Sequence, residues 1–401
     1  MKDIITLIRL KRYLLGYTIR ILSKLTGINH GILTQIETGK IALSQYYQEK
    51  IFKALSIDEV HLFDYEQEVE ALYLGVMRSS CYFEPNQAKM LTGIEEDLIS
   101  SSIHYPKYLV AKFVYHFHEN PNFEPLDLTK QVLIKVLTNQ DELYVHAFFL
   151  YMAAYMVRDR DYQSAEKLLK QVKIEEHCDE FVSMYYYYYA MIKEDMGLWG
   201  EALLLNEQAR ILFKKTNNVV REIFTLMSTA NVLTNLELYE SAIKQFAKVK
   251  KYLAIHQIHI SLDLINENIG WCYILKHEYE KSIEILEAIE DHEIKDNRYY
   301  FYLMFAYYKI KNYEVARQYA LLSSSARKNS VVCTILCDIF TGALTHHENY
   351  RFRNKLEKLY ERLQKQYDFS WMKFVSNTLE ETYLSKEDYR QAYFWSKKSN
   401  Y

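Results

Sequence analysis

The stretch "NIGWCYILKHEYEKSIEIL", residues 268–286, decides how this chain folds. Within it an aromatic, Tyr279, is followed three positions later by a small residue, Ser282. The same pair returns along the chain in "DYQSAEKLL" (Tyr162, Ala165), "LWGEALLL" (Trp199, Ala202), "LYESAIKQF" (Tyr239, Ala242), "NYEVARQYA" (Tyr313, Ala316) and "DYRQAYFW" (Tyr389, Ala392). Successive aromatics lie 37, 40, 40, 34 and 76 residues apart, and a degenerate copy at Tyr350 divides the last interval into 37 and 39. A period in the high thirties, built from two helices, specifies an α-solenoid. The small residue lets the second helix of each pair approach the first closely, and the aromatic fills the turn.

Composition agrees with an all-α chain. Among 401 residues there are 10 Gly and 4 Pro, and the prolines (Pro85, Pro106, Pro121, Pro125) all fall between residues 85 and 125. A chain so poor in turn residues is read as helical throughout. The repeat is similar to the tetratricopeptide repeat (TPR), here with lengthened loops. Ile269, Gly270, Tyr273, Tyr279 and Ser282 take that family's apolar, Gly, Tyr, aromatic and small positions. The resemblance covers residues 145 to 401, and the helices between 65 and 140 are expected to begin the same array without a readable phase.

The first sixty residues differ. They carry nine Lys or Arg against five acids, a net charge of +4, which leaves −7 for the remainder of a chain whose total is −3. A basic head on an acidic body suits nucleic-acid contact at one end. Apolar residues from Ile4 to Leu15 recur at helical spacing and stop at Gly16. Thr18 is read as the cap of a second helix with Ile21, Leu22 and Leu25 inward, ended by Gly27. Asn29 is read as the cap of a third with Ile32, Leu33 and Ile36 inward, ended by Gly39. A fourth runs from about Ser44 to Ser56.

Two short helices joined by a tight Gly-containing turn make a helix-turn-helix. The segment "YTIRILSKLTGINHGILTQIETGK", residues 17–40, resembles the lambda-repressor-like, Xre-type family, with Ile19 standing where that family usually has Gln. The resemblance implies a buried Arg12–Glu37 ion pair and a recognition helix entering the major groove. It places His30, Gly31, Thr34 and Gln35 at base edges, and Thr18, Asn29, Thr38 and Lys40 near phosphates. Gln suits adenine, and a Thr methyl can meet thymine. The expected organisation is a DNA-binding head at 1–62, a linker helix at 63–80 and a TPR-like array at 81–401.

In the repeat register, the first helix of each pair turns certain residues to the concave groove. Those are Tyr187 and Tyr188 from the run "SMYYYYYAM" (183–191), Asn231, Asn235, Asn268, Trp271, Arg298, Tyr302 and Asn377. Asn donates to and accepts from a peptide backbone at once, whatever the peptide's side chains. Five consecutive tyrosines cannot share one helix face, so some pack between helices and the rest line the groove.

Other chemistry is not expected. There is no Gly-rich phosphate loop, no H-E-x-x-H and no C-x-x-C, so neither enzyme nor cofactor is foreseen. "CTILC" (Cys333, Cys337), with His346 and His347 nearby, reads as an apolar core face, and "HFHENPNFE" (116–124) as a helix end and loop. Five scattered cysteines (Cys81, Cys178, Cys272, Cys333, Cys337) and no readable secretory signal point to a reducing cytoplasm. No apolar run is long enough to span a membrane.

The combination of head and tail resembles the peptide-pheromone receptors of Gram-positive bacteria, the group that includes PlcR, NprR, PrgX and Rgg. That resemblance implies a homodimer that binds a double-stranded DNA operator and senses a short signalling peptide, as in quorum sensing. Two alternatives stay open: a phage- or plasmid-type regulator whose tail binds a partner protein, and a Rap-like bifunctional adaptor.

Overall fold

The computed structural model describes residues 2–82, 94–119, 127–138, 140–258, 260–327, 330–346 and 350–399. All regular elements among these are helices. The chain divides into two compact units, Met1–Phe181 and Val182–Tyr401.

The first unit opens with helices α1 (Lys2–Leu14), α2 (Ile19–Thr26), α3 (His30–Glu37) and α4 (Gln45–Leu55). Their ends follow from local chemistry. The Thr18 side chain accepts from the Ile21 N–H, Asn29 from the Gly31 N–H, and Ser44 from the Tyr47 N–H, each satisfying a donor that the first helical turn leaves unpaired. Gly27 ends α2 at φ +68°, a left-handed conformation that costs a residue with a Cβ free energy. Leu7, Leu10, Leu22, Leu33, Ile36, Ile51, Phe52 and Leu55 form the core of this bundle. The inward face of α2 is narrower than the sequence suggested: Leu22 is fully buried, but Ile21 and Leu25 are exposed. Those two lie four apart and share the outward side, while Thr26 takes the second inward position.

The unit continues with α5 (Glu66–Tyr82), α6 (Glu96–Ile99), α7 (Tyr105–Glu119), α8 (Asp127–Leu137), α9 (Leu143–Met156) and α10 (Tyr162–Leu169). α1 is bonded to the α8 region: Arg9 donates to the Lys135 carbonyl at 3.0 Å, Gln140 to Thr6 Oγ1 at 3.0 Å, and Lys2 pairs with Glu142 at 2.7 Å.

The second unit is a run of helical hairpins: α11 (Asp179–Asp195) with α12 (Trp199–Lys215), α13 (Val219–Asn235) with α14 (Tyr239–His256), α15 (Leu262–Leu275) with α16 (Tyr279–Glu287), α17 (Asn297–Lys309) with α18 (Tyr313–Ser325), α19 (Val331–His346) with α20 (Tyr350–Lys365), and α21 (Phe369–Leu384) with α22 (Tyr389–Ser399). Each repeat aromatic is the first residue of a second helix, Tyr162 and Tyr350 included. The small residues three positions on, Ala165, Ala202, Ala242, Ser282, Ala316 and Ala392, are all buried. Close approach explains them: the Ser282 hydroxyl donates to the Gly270 carbonyl at 2.9 Å.

Low glycine content has a structural counterpart. Turns in this unit pass through left-handed residues at Asn217, Glu237, Gln257, His277, Lys311, Tyr367 and Glu387, and among the described residues only the turn at 197 uses Gly. Among the described residues, two apolar cores hold the hairpins from α13 onward. One gathers Ile223, Leu226, Phe246, Val249, Leu253 and Ile265. The other gathers Leu286, Phe301, Phe305, Phe340, Leu356, Val375 and Leu379.

Candidate functional site

Within the second unit, side chains from α11, α13, α15, α17 and α21 converge on a cavity of about 240 Å³. Asn231, Asn235, Asn268, Trp271, Arg298, Tyr302 and Asn377 all line it. Thus seven of the nine groove residues read from the sequence share one cavity. Tyr187 and Tyr188 do not. Tyr188 is buried, and Tyr187 packs edge-on against Phe213 with the Arg221 guanidinium 5.4 Å from its ring centre. An unbroken tyrosine run carries no polar-apolar alternation from which a face can be read.

The four amides differ in what they have left to offer. Asn231 is exposed and Asn377 half-buried, and neither side chain has a hydrogen-bond partner among the described residues. The Asn268 side chain donates to the Leu264 carbonyl at 3.0 Å, which leaves its oxygen as an acceptor. Asn235 accepts from the Ser370 hydroxyl at 3.0 Å.

Charge in the cavity is mostly neutralised. Arg298 reaches the nearly fully buried Glu267 with two parallel bonds, at 2.9 and 2.7 Å. Burial pushes the Glu267 carboxyl up and the guanidinium holds it down. Lys373 pairs with Glu237 at 2.9 Å. Glu194 is the exception. Its carboxylate accepts from Ser228 at 3.2 Å, and burial, assisted by Asp195, pushes it up to about 8 against the opposing effect of that bond. The apolar wall is an aromatic stack: Trp271 lies on Tyr302 with centroids 4.5 Å apart, and Trp371 and Phe374 each stand 5.3 Å from Trp271. Glu194, Ser370, Trp371, Lys373 and Phe374, which the register reading did not name, line the cavity as well.

In the head, Arg12 and Glu37 form a two-bonded ion pair at 2.6 and 2.8 Å, and a third Arg12 N–H reaches the Tyr17 carbonyl at 2.8 Å. This ties α1 to the end of α3 and to the loop before α2. Thr18, Asn29, His30, Thr34, Gln35, Thr38 and Lys40 are exposed, and Gly31 is half-buried. Thr34 and Thr38 turn their hydroxyls back to carbonyls at 2.9 Å, which leaves their methyl groups outward. Cys333 and Cys337 are buried in the second core, where burial pushes the Cys333 thiol up to about 12. The side chains of His346 and His347, and residues 120–126 of the "HFHENPNFE" region, lie outside the described residues. No described helix is long and apolar enough to cross a membrane.

These hairpins define an all-helical, TPR-like α-solenoid. No family model matches the chain, and no curated protein matches it by sequence. Solved structures do match the fold. A Rap protein complexed with competence and sporulation factor aligns with TM-score 0.63 at 14% identity, covering 83% of this chain and 96% of that one. Aspartyl phosphate phosphatase F from Bacillus subtilis aligns with TM-score 0.56 at 16% identity, covering 83% and 92%. NprR in complex with its cognate peptide NprX aligns with TM-score 0.54 at 14% identity, covering 83% and 89%.

Proposed function

We propose that this protein is a DNA-binding transcriptional regulator whose helical array senses a short signalling peptide. The observation that carries the reading is the meeting of Asn231, Asn235, Asn268 and Asn377 in one cavity, beside the stacked Trp271 and Tyr302. Amides grip a peptide backbone regardless of sequence, and aromatic walls select side chains. Support comes also from fold-mates, NprR in complex with its cognate peptide NprX and a Rap protein complexed with competence and sporulation factor.

The head completes the reading. Exposed His30, Thr34 and Gln35 on α3 have the chemistry of base readers, and Arg12–Glu37 fixes the helix that carries them. One helix-turn-helix reads only a few base pairs, so the working form is a homodimer on two half-sites. A Rap-like adaptor would share the sensor half and differ at the head. Selection from randomised duplex DNA separates the two: a regulator enriches a two-fold symmetric sequence, and an adaptor enriches none.

The sensor half is tested with a randomised pool of synthetic peptides five to ten residues long, with retained peptides identified by mass spectrometry. Wild type should retain a defined subset, and Asn231→Ala together with Asn268→Ala should lose it while keeping helix content. Retention that is absent in wild type, or the same in both proteins, sinks the peptide reading.

A further inference from the structure

One wall of the cavity is the chain's own penultimate helix. α21 belongs to the last hairpin and buries Met372, Val375 and Leu379 in the second core. Its other side reaches back to hairpins far earlier in the sequence. Ser370 donates to the Asn235 side chain, 135 residues away, and Lys373 donates to the Asn235 carbonyl at 3.0 Å while pairing with Glu237. The Phe369 ring covers Gly197 so closely that a Cβ there would stand 2.9 Å from it. Farther along, Glu381 takes Lys309 and stands 3.5 Å from His277.

These contacts are of two kinds. Against α15 and α17 the hold is aromatic and buried, through Phe374 with Trp271, Phe301 and Phe305. Against the hairpins at 197 and 235–237 it is largely polar and only partly buried, with the Lys373 side chain 17% exposed and that of Glu237 49%. Buried aromatic packing is costly to undo, whereas ion pairs open to solvent on one side contribute little. The position of α21 has a geometric consequence as well. At about 240 Å³ the cavity is narrower than the roughly 300–1,000 Å³ of sites that enclose small ligands, so movement of α21 away from α13 would widen it toward that range.

We infer that Ser370 and Lys373 form a releasable latch which keeps the amide cavity narrow, with the Ser370 hydroxyl seated on Asn235 in place of a ligand donor. Release frees Asn235 and widens the cavity between α21 and α13, while the last three hairpins stay packed as one block. A ligand N–H that bonds the Asn235 oxygen displaces Ser370, so occupancy and opening are the same event seen from two sides. The inference concerns access alone and holds for any extended ligand, so its test needs none.

The test is acrylamide quenching of tryptophan fluorescence in the full chain. Trp371 sits beside the latch, and Lys373 stands 5.3 Å over the Trp199 ring. Lys373→Glu turns the attraction to Glu237 into repulsion and should raise the open population about tenfold. Quenching then increases, with helix content unchanged. The charge swap Lys373→Glu with Glu237→Lys should bring quenching back to the wild-type level. Ser370→Ala, a smaller change, should move it in the same direction as Lys373→Glu and is the readout if the charge variant misfolds. Unchanged quenching in a folded Lys373→Glu, no change in Ser370→Ala, or a swap that fails to restore the wild-type value overturns the latch.

Discussion

Gly270 on α15 and Leu286 on α16 approach so closely that a Cβ at position 270 would stand 2.6 Å from the Leu286 side chain. Replacing a helix-interior Gly with Ala normally stabilises by about 1 kcal/mol. Here the added methyl meets a fully buried Leu, and overpacking costs about 1–3 kcal/mol. Gly270→Ala should therefore lose up to roughly 2 kcal/mol net in urea unfolding. A gain in stability would show that the two helices have room to part.

Arg298 is in the cavity wall, but its guanidinium is committed to Glu267. Arg298→Ala leaves a carboxylate buried without its partner, at a cost of about 3–5 kcal/mol. The loss should depend on pH. A lone buried carboxylate has a folded-state pKa above its unfolded value, so the variant matches wild type near pH 4 and weakens as pH rises. Denaturant melts of both proteins at pH 4.5 and pH 8 check this, and a pH-independent difference would contradict it.

Glu194 offers a second pH signature. Its carboxyl is raised to about 8, above its unfolded value. The folded state therefore binds the extra proton between the two, and stability falls as pH rises through that window. Glu194→Gln should flatten the decline between pH 5 and pH 8 relative to wild type. Equal slopes in parallel urea titrations would mean that the carboxyl ionises freely.

Gln35→Ala should relax DNA sequence preference at one base pair per half-site by about 1–3 kcal/mol. The head keeps its fold, since Gln35 is exposed and its side chain joins no bond in the bundle. Lys40→Ala should instead weaken binding to all sequences alike and reduce the salt slope by about 1. Footprints at two salt concentrations tell the two behaviours apart. An unaltered preference in Gln35→Ala would move base reading elsewhere.

Much of this was legible because a solenoid is locally determined. Each hairpin contacts its neighbours, so the spacing from Tyr162 to Tyr389 marks the start of every second helix without long-range information. The same register brings Asn231, Asn268 and Arg298 to one side. The position of α21 is the opposite case. Ser370 meets Asn235 across 135 residues, and no periodic signal encodes which distant turn a helix face will meet. The αL turns were hidden too, because sequence reading expects Gly or Asn there and this chain uses Glu237, Gln257, His277 and Lys311.

Asn231 and Asn268 stand on first helices of successive hairpins, and that spacing acts as a ruler. An extended chain advances about 3.3 Å per residue, so a peptide lying along the groove would meet successive amides at a fixed step of several residues. Exchanging side chains between amide contacts would leave the grip intact, whereas inserting a single residue would put everything beyond it out of step, much as an insertion shifts a reading frame.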